Sequence, residues 1–143
     1  MAISYKRIQQ NKKVFVIISE GELYEGSTWE ALLFAKHNKL DNLTVIIDIN
    51  SLIILGKTSD CLNLDPIKDK ITGLGIKVLE VDGHNINDLI STFETSKKLG
   101  EFNCILAKTI KGKGVSLMEN EKHWHYYNQL SEEEIKQVRK ELT

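Results

Sequence analysis

The sequence predicts an α/β fold: a parallel sheet of about four strands with helices on both faces. Two observations carry this. Four short runs rich in branched apolar residues, at 14–18, 44–48, 76–81 and 104–108, alternate with segments whose apolar residues recur at helical spacing. The first two runs also end just before Glu20 and Asn50, thirty positions apart, with one amphipathic stretch between them. That is the length of a strand–helix–strand unit with parallel strands. Each crossover is expected to be right-handed.

The elements follow in order. Residues 2–9 read as the end of a helix with little to pack on. Residues 14–18 are continuously apolar and read as a strand buried on both faces. Ser19-Glu20-Gly21-Glu22 is the loop leaving it. Ser27-Thr28-Trp29-Glu30 has the form of a capping box opening a helix. Ala31, Leu32, Phe34 and Ala35 supply that helix's apolar stripe, while Lys36, His37 and Lys39 suit its carboxyl end. Residues 44–48 are the second strand, and 49–64 a connection long enough to be functional. Asp65-Pro66 starts a short helix, closed by Gly73 and Gly75. Residues 76–81 are the third strand, ended by an Asp82-Gly83 turn. Asn85 caps a helix bearing Ile86, Leu89, Ile90 and Phe93, which Gly100 terminates. The strand at 104–108 leads to Lys111-Gly112-Lys113-Gly114, a flexible loop, and then a mixed segment, 119–128. Ser131 and Glu134 form a second capping box before a helix carrying Ile135, Val138 and Leu142.

Composition narrows the functions. One domain over residues 1–143 is the expectation for a chain of this length. Nineteen basic and twenty acidic side chains leave a net charge of −1, which gives no long-range pull on nucleic acid. No apolar run approaches the roughly 20 residues that span a bilayer, and the start of the chain lacks a signal peptide. Cys61 and Cys104 fit no metal spacing and suit reduced thiols in the cytoplasm.

A strand–helix–strand unit sets Glu20 and Asn50 on the carboxyl edge of the sheet, where open α/β folds bind ligands. A carboxylate and an amide oxygen there suit a hard cation such as Mg²⁺, with the carbonyl of a loop residue such as Leu52 as a further ligand. Gly21 has no Cβ and lets a phosphate approach the backbone, and the following helix points its free N–H groups at the same region. The same residues also read as a solvated loop carboxylate and a turn amide.

The stretch from Ser19 to Ala31 resembles the thiamine diphosphate motif of transketolases, which begins Gly-Asp-Gly. The likeness continues through Lys39-Leu40-Asp41-Asn42-Leu43 to Asp48-Ile49-Asn50, where that motif ends. It extends to Val81-Asp82-Gly83-His84, to Lys108-Thr109-Ile110-Lys111-Gly112-Lys113-Gly114 and to Trp124-His125. Nearly the whole chain takes part, and the form is most similar to the N-terminal subunit of split bacterial transketolases. The resemblance implies a partial thiamine diphosphate-binding (PP-type) domain, with thiamine diphosphate and Mg²⁺ as cofactors. It implies Glu20, Asn50 and the Leu52 carbonyl as metal ligands. Gly21 would lie at the diphosphate, Glu25 near the cofactor and a dimer contact, and His125 against diphosphate and donor sugar. No residue matches the acid–base role on the cofactor ring.

Two departures stand out. Ser19-Glu20-Gly21 replaces Gly-Asp-Gly, so the carboxylate reaches farther by one methylene and Mg²⁺ affinity is expected to fall. Ser19 also removes a glycine where unusual backbone angles are expected. By the resemblance the chain starts late: an upstream segment and the pyrimidine-binding domain are missing. A homo-oligomer, or a hetero-complex with chains carrying those parts, is therefore expected, acting on sugar phosphates in two-carbon ketol transfer. A degenerate, non-catalytic interaction module of the same fold and a 2-oxo-acid dehydrogenase component are the alternatives.

Overall fold

The computed structural model describes residues 1–126 and 129–143. Its elements in chain order are helix α1 (Ala2–Arg7), strand β1 (Val14–Ser19), a 3-10 turn (Glu20–Tyr24), helix α2 (Gly26–His37) and strand β2 (Leu43–Ile49). A small hairpin of β3 (Leu52–Ile53) and β4 (Gly56–Lys57), then α3 (Thr58–Cys61), α4 (Ile67–Gly73), β5 (Lys77–Asp82) and α5 (Ile86–Lys98) follow. Strand β6 (Asn103–Lys108), a second 3-10 turn (Lys122–His125) and α6 (Glu132–Glu141) complete the order. The last two residues of the predicted mixed segment, 127 and 128, lie outside the described residues.

The four predicted strands form one parallel sheet in the order β1-β2-β6-β5. The register pairs Ser19 with Asp48, Asp48 with Ala107, and Lys108 with Asp82, so all four carboxyl ends share one edge. Side chains alternate across the sheet. Val45, Ile47, Cys104 and Leu106 pack with Leu32, Ala35, Ile67 and Ile71 of α2 and α4 on one face. Ile46, Ile105, Ala107 and Val81 meet Leu89 and Phe93 of α5 on the other. The central strands β2 and β6 are thus buried on both sides, as their uninterrupted apolar pattern predicts. Burial pushes the Cys104 thiol up to about 12, whereas Cys61 is exposed.

Behind the sheet, a buried polar chain ties α5 to the strands. Thr44 Oγ1 lies 2.9 Å from Ser96 Oγ, which donates to Asn103 Oδ1 at 2.8 Å. Asn103 Nδ2 donates in turn to the Glu101 carbonyl at 3.0 Å. Lys6 bridges α1 to the turn before β2 through Asp41 Oδ1 at 2.7 Å. Asn42 Nδ2 adds a bond to the Ala2 carbonyl at 3.0 Å.

Several expectations are corrected. Strand β1 is not buried: Phe15, Val16 and Ile17 are 41, 40 and 75% exposed, because β1 is the edge strand and α2 and α5 cover it only in part, α5 through the edge-on contact of Phe93 with Phe15 at 5.6 Å. The stripe of α2 is narrower than predicted, with Leu32 and Ala35 buried, Ala31 exposed and Phe34 56% exposed. Ile86 and Ile90 of α5 are likewise exposed. The predicted capping box at Ser27 does not form; α2 starts at Gly26 with Glu25 at its N-cap and no side-chain cap bond. The same Ser-x-x-Glu signature occurs eight residues earlier, and there it closes. Ser19 Oγ accepts from the Glu22 N–H at 3.3 Å, and Glu22 Oε2 accepts from the Ser19 N–H at 2.8 Å. The caps at Asn85 and Ser131 form as predicted. The Lys-Gly loop forms hydrogen-bonded turns: the Lys113 N–H reaches Ile110 O at 3.2 Å, and the Gly114 N–H reaches Glu119 Oε1 at 3.0 Å. Among the described residues, no helix is long and apolar enough to cross a membrane.

Candidate functional site

The capping box after β1 decides where Glu20 goes. Ser19 holds φ −85° and ψ 159°, ordinary extended backbone, so no glycine is required there and that expectation is corrected. The turn it opens tucks Glu20 inward until the residue is only 6% exposed. A buried carboxylate needs a partner. Glu20 Oε2 finds one in the Ser51 N–H at 2.8 Å. Ser51, with φ +60°, is the residue immediately after Asn50, so the ends of β1 and β2 are joined through this contact.

Asn50 is held at both ends of its amide. Its Oδ1 accepts from the Leu52 N–H at 3.1 Å, which turns the chain into β3. Its Nδ2 donates to Asp48 Oδ2 at 3.2 Å. The other oxygen of Asp48 accepts a short hydrogen bond from Thr109 Oγ1, just past β6. Three strand ends, β1, β2 and β6, thus feed one connected cluster of oxygen-rich side chains. Tyr24 lies close by, its hydroxyl donating to Thr58 O at 3.3 Å. Its pKa is raised by burial first and by the Glu20 charge second.

Glu20, Asn50 and Leu52 are therefore brought together. Gly21 adjoins them in the 3-10 turn, where an added Cβ would stand 3.2 Å from Ile53 Cγ2. Gly21 thus permits close packing of that turn on β3. Glu25 is exposed at the start of α2. His125 is also exposed, on the 3-10 turn that lies against β3, with its ring edge-on to Tyr126 at 5.2 Å. A cleft of about 370 Å³ opens between hairpin and turn, lined by Leu52, Lys57, Lys122 and His123 among others. His84 is a structural hydrogen-bonder: its Nε2 accepts from the Ile110 N–H at 2.7 Å.

Asp48, Ser51 and Thr109 join the cluster without having been singled out by the sequence pattern. The signal for Asp48 was an acid inside an otherwise apolar strand, two residues before Asn50. The donors of the cluster are hard oxygens, the chemistry Mg²⁺ selects. Among the described residues no group of three or more His, Cys, Asp or Glu side chains converges on a metal position. The expected set contains one such side chain, Glu20, the rest being an amide and a carbonyl.

The sequence matches the family described as transketolase, thiamine diphosphate binding domain, over residues 5–143. It is 39% identical over 126 residues to one of the apulose-4-phosphate transketolase subunits, that of Actinobacillus succinogenes, covering 88% of this chain and 46% of that protein. It is 38% identical over 120 residues to a 6-deoxy-6-sulfo-D-fructose transketolase subunit of a Clostridium species, covering 83% and 44%. The crystal structure of Campylobacter jejuni transketolase superposes with a TM-score of 0.89 at 29% identity, covering 97% of this chain and 23% of that one. The chain spans about half the length of the curated subunits it matches. With a parallel sheet of matching topology and a family match running from Tyr5 to the last residue, this chain belongs to the transketolase family and carries its thiamine diphosphate binding domain.

Proposed function

We propose that this chain anchors the Mg²⁺–diphosphate end of thiamine diphosphate within a multi-chain transketolase. The observation that carries the reading is the Glu20–Ser51 contact, which joins an acid from one strand end to the loop bearing Asn50 from the next. Glu20, Asn50 Oδ1 and the Leu52 carbonyl hold Mg²⁺. The backbone at Gly21 and the amino end of α2 face the diphosphate. Glu25 and His125 contribute at the rim, His125 toward the diphosphate and the sugar. Thiamine diphosphate, when bound, supplies the carbanion chemistry of two-carbon ketol transfer.

The rest of the site comes from partners. The two subunits compared above are each named as one part of a transketolase, which supports a multi-chain assembly. The substrates are anionic sugars such as sugar phosphates, in keeping with the phosphate and sulfo groups in the relatives' names.

Calorimetry with thiamine diphosphate and Mg²⁺, on the chain alone and mixed with partner chains, tests the reading. Asn50→Ala is expected to abolish the Mg²⁺-dependent heat while leaving the far-ultraviolet circular dichroism unchanged. It removes two hydrogen bonds, from the Leu52 N–H and to Asp48, each worth about 1 kcal/mol. No heat in any mixture would favour a non-catalytic interaction module of the same fold.

A further inference from the structure

We infer that Gly83 and His84, which follow β5, are positioning residues for Asn50: together they lock the Thr109 side chain against Asp48, and Asp48 holds the Asn50 amide. The inference rests on the reading of Asn50 as a Mg²⁺ ligand, and it extends that site across the sheet to residues outside the ligand set.

The register sets Asp82, Lys108 and Ile49 side by side, so the exits of β5, β6 and β2 are neighbours. The chain leaving β6 passes between the other two and is held from both sides. Toward β2, the Thr109 N–H donates to Ile49 O at 2.9 Å. Toward β5, the Gly83 N–H donates to Lys108 O at 2.8 Å, and the Ile110 N–H donates to His84 Nε2 at 2.7 Å. An accepting Nε2 requires a neutral ring with its proton on Nδ1. His84 is itself fixed by the turn it stands in, since its own N–H donates to Asp82 Oδ1 at 2.9 Å. The imidazole is exposed, where water can serve the Ile110 N–H in its place. What His84 adds there is position.

Gly83 decides the Thr109 rotamer. A Cβ on Gly83 would stand 2.5 Å from Thr109 Cγ2 and 3.0 Å from Lys108 O. Its φ is not positive, so contact alone excludes a side chain. The Thr109 methyl takes the space that Gly83 leaves, and the same rotamer aims Oγ1 at Asp48 Oδ1, to which it donates. Threonine is branched at Cβ and stiff at χ1, so methyl and hydroxyl move as one. Asp48 accepts from Asn50 Nδ2 with its other oxygen at 3.2 Å, and Asn50 Oδ1 accepts from the Leu52 N–H at 3.1 Å. An unbroken series of contacts thus runs from His84 to the Asn50 amide oxygen. A turn that only reversed the chain needs neither an acceptor for Ile110 nor a floor for the Thr109 methyl.

Amide exchange on the full chain, without cofactor or Mg²⁺, reads the hold on Asn50 at the Leu52 N–H. His84→Ala is expected to speed that exchange about threefold or more, the scale of coupling within one hydrogen-bond network. His84→Gln, whose amide oxygen can take the Ile110 N–H, is expected to restore the rate of the unsubstituted chain. Thr109→Val keeps the shape and removes the hydroxyl, and in that background His84→Ala is expected to add nothing. Gly83→Ala is expected to act like Thr109→Val; if it fails to fold, the exposed His84 variants carry the test. Unchanged Leu52 exchange in His84→Ala, or an effect of His84→Ala that persists undiminished beside Thr109→Val, would overturn the proposal. Calorimetry with thiamine diphosphate and Mg²⁺ on the assembled complex is run separately. There His84→Ala is expected to weaken the Mg²⁺-dependent affinity about threefold or more and His84→Gln to leave it intact. A complex that binds the cofactor equally well with His84→Ala also overturns the proposal. No heat in any mixture, beside a clear Leu52 response, defeats the reading of Asn50 as a metal ligand and leaves the coupling of His84 to Asn50 standing.

Discussion

Glu20 gains its environment from a residue 31 positions away. Its carboxylate accepts from the Ser51 N–H at 2.8 Å, which ties the turn after β1 to the loop after β2. Asp48 does the complementary work for Asn50: it accepts from the amide N–H₂ with one oxygen and from Thr109 with the other. That fixes which end of the Asn50 amide is oxygen and where it points. Asp48→Ala is therefore expected to reduce Mg²⁺-dependent thiamine diphosphate affinity in the assembled complex by roughly tenfold or more, the scale seen when the outer partner of a ligand is removed. Calorimetry on the variant complex checks this, and unchanged affinity would remove Asp48 from the site. At this scale the sequence disclosed Glu20 and Asn50 through their spacing. It did not disclose Ser51 or Thr109, because a backbone N–H donor and a threonine after a strand carry no pattern of their own.

Helix α5 is fastened by more than its apolar residues. Ser96 sits between Thr44 and Asn103, all three buried. Ser96→Ala removes the central hydroxyl and leaves its buried partners unsatisfied, so a loss of about 1–3 kcal/mol in urea unfolding is expected. A loss under about 0.5 kcal/mol would mean that the buried chain tolerates the gap. Helix α1 is held differently, at the surface. The Lys6 ammonium, hydrogen-bonded to Asp41, holds that carboxyl below the usual carboxylate range, against a smaller opposing effect of burial. A depressed carboxyl stabilises the folded form above its ordinary pKa, and the contribution disappears as pH falls through the depressed value. Helix α1 is thus expected to stay docked from neutral pH to about pH 4 and to loosen below it. Amide exchange at Ala2–Arg7 against pH measures this, and Lys6→Ala should produce the loosened state at neutral pH. Elements of this kind were legible where a pattern was local: strands from apolar runs, caps from Asn85 and Ser131. The capping box at Ser27 was misplaced because two Ser-x-x-Glu signatures occur within about a dozen residues. Only the path of the chain after β1 decides which one closes.

At the scale of the molecule, the sheet is protected at one edge and apolar at the other. Exposed apolar surface beside a folded core binds amphiphilic dyes. The folded chain is expected to enhance anilinonaphthalene sulfonate fluorescence at neutral pH while still unfolding cooperatively, and Ile17→Lys is expected to lower the signal. A dye signal no higher than that of a well-covered globular protein would mean that the β1 faces are shielded.

By itself the sequence determined the four strands of the main sheet, their parallel alternation with helices and the meeting of Glu20 with the Asn50 loop, but not the small β3–β4 hairpin within 49–64. Apolar periodicity and spacing along the chain report which residues want burial and how far apart strand ends fall. Tertiary structure alone decided which strands found cover and which partner the Glu20 carboxylate took. Those outcomes depend on strand order and on contacts between distant segments. The pattern of β1 asks for two covered faces as plainly as that of β2, and only its place at the end of the sheet leaves the demand unmet.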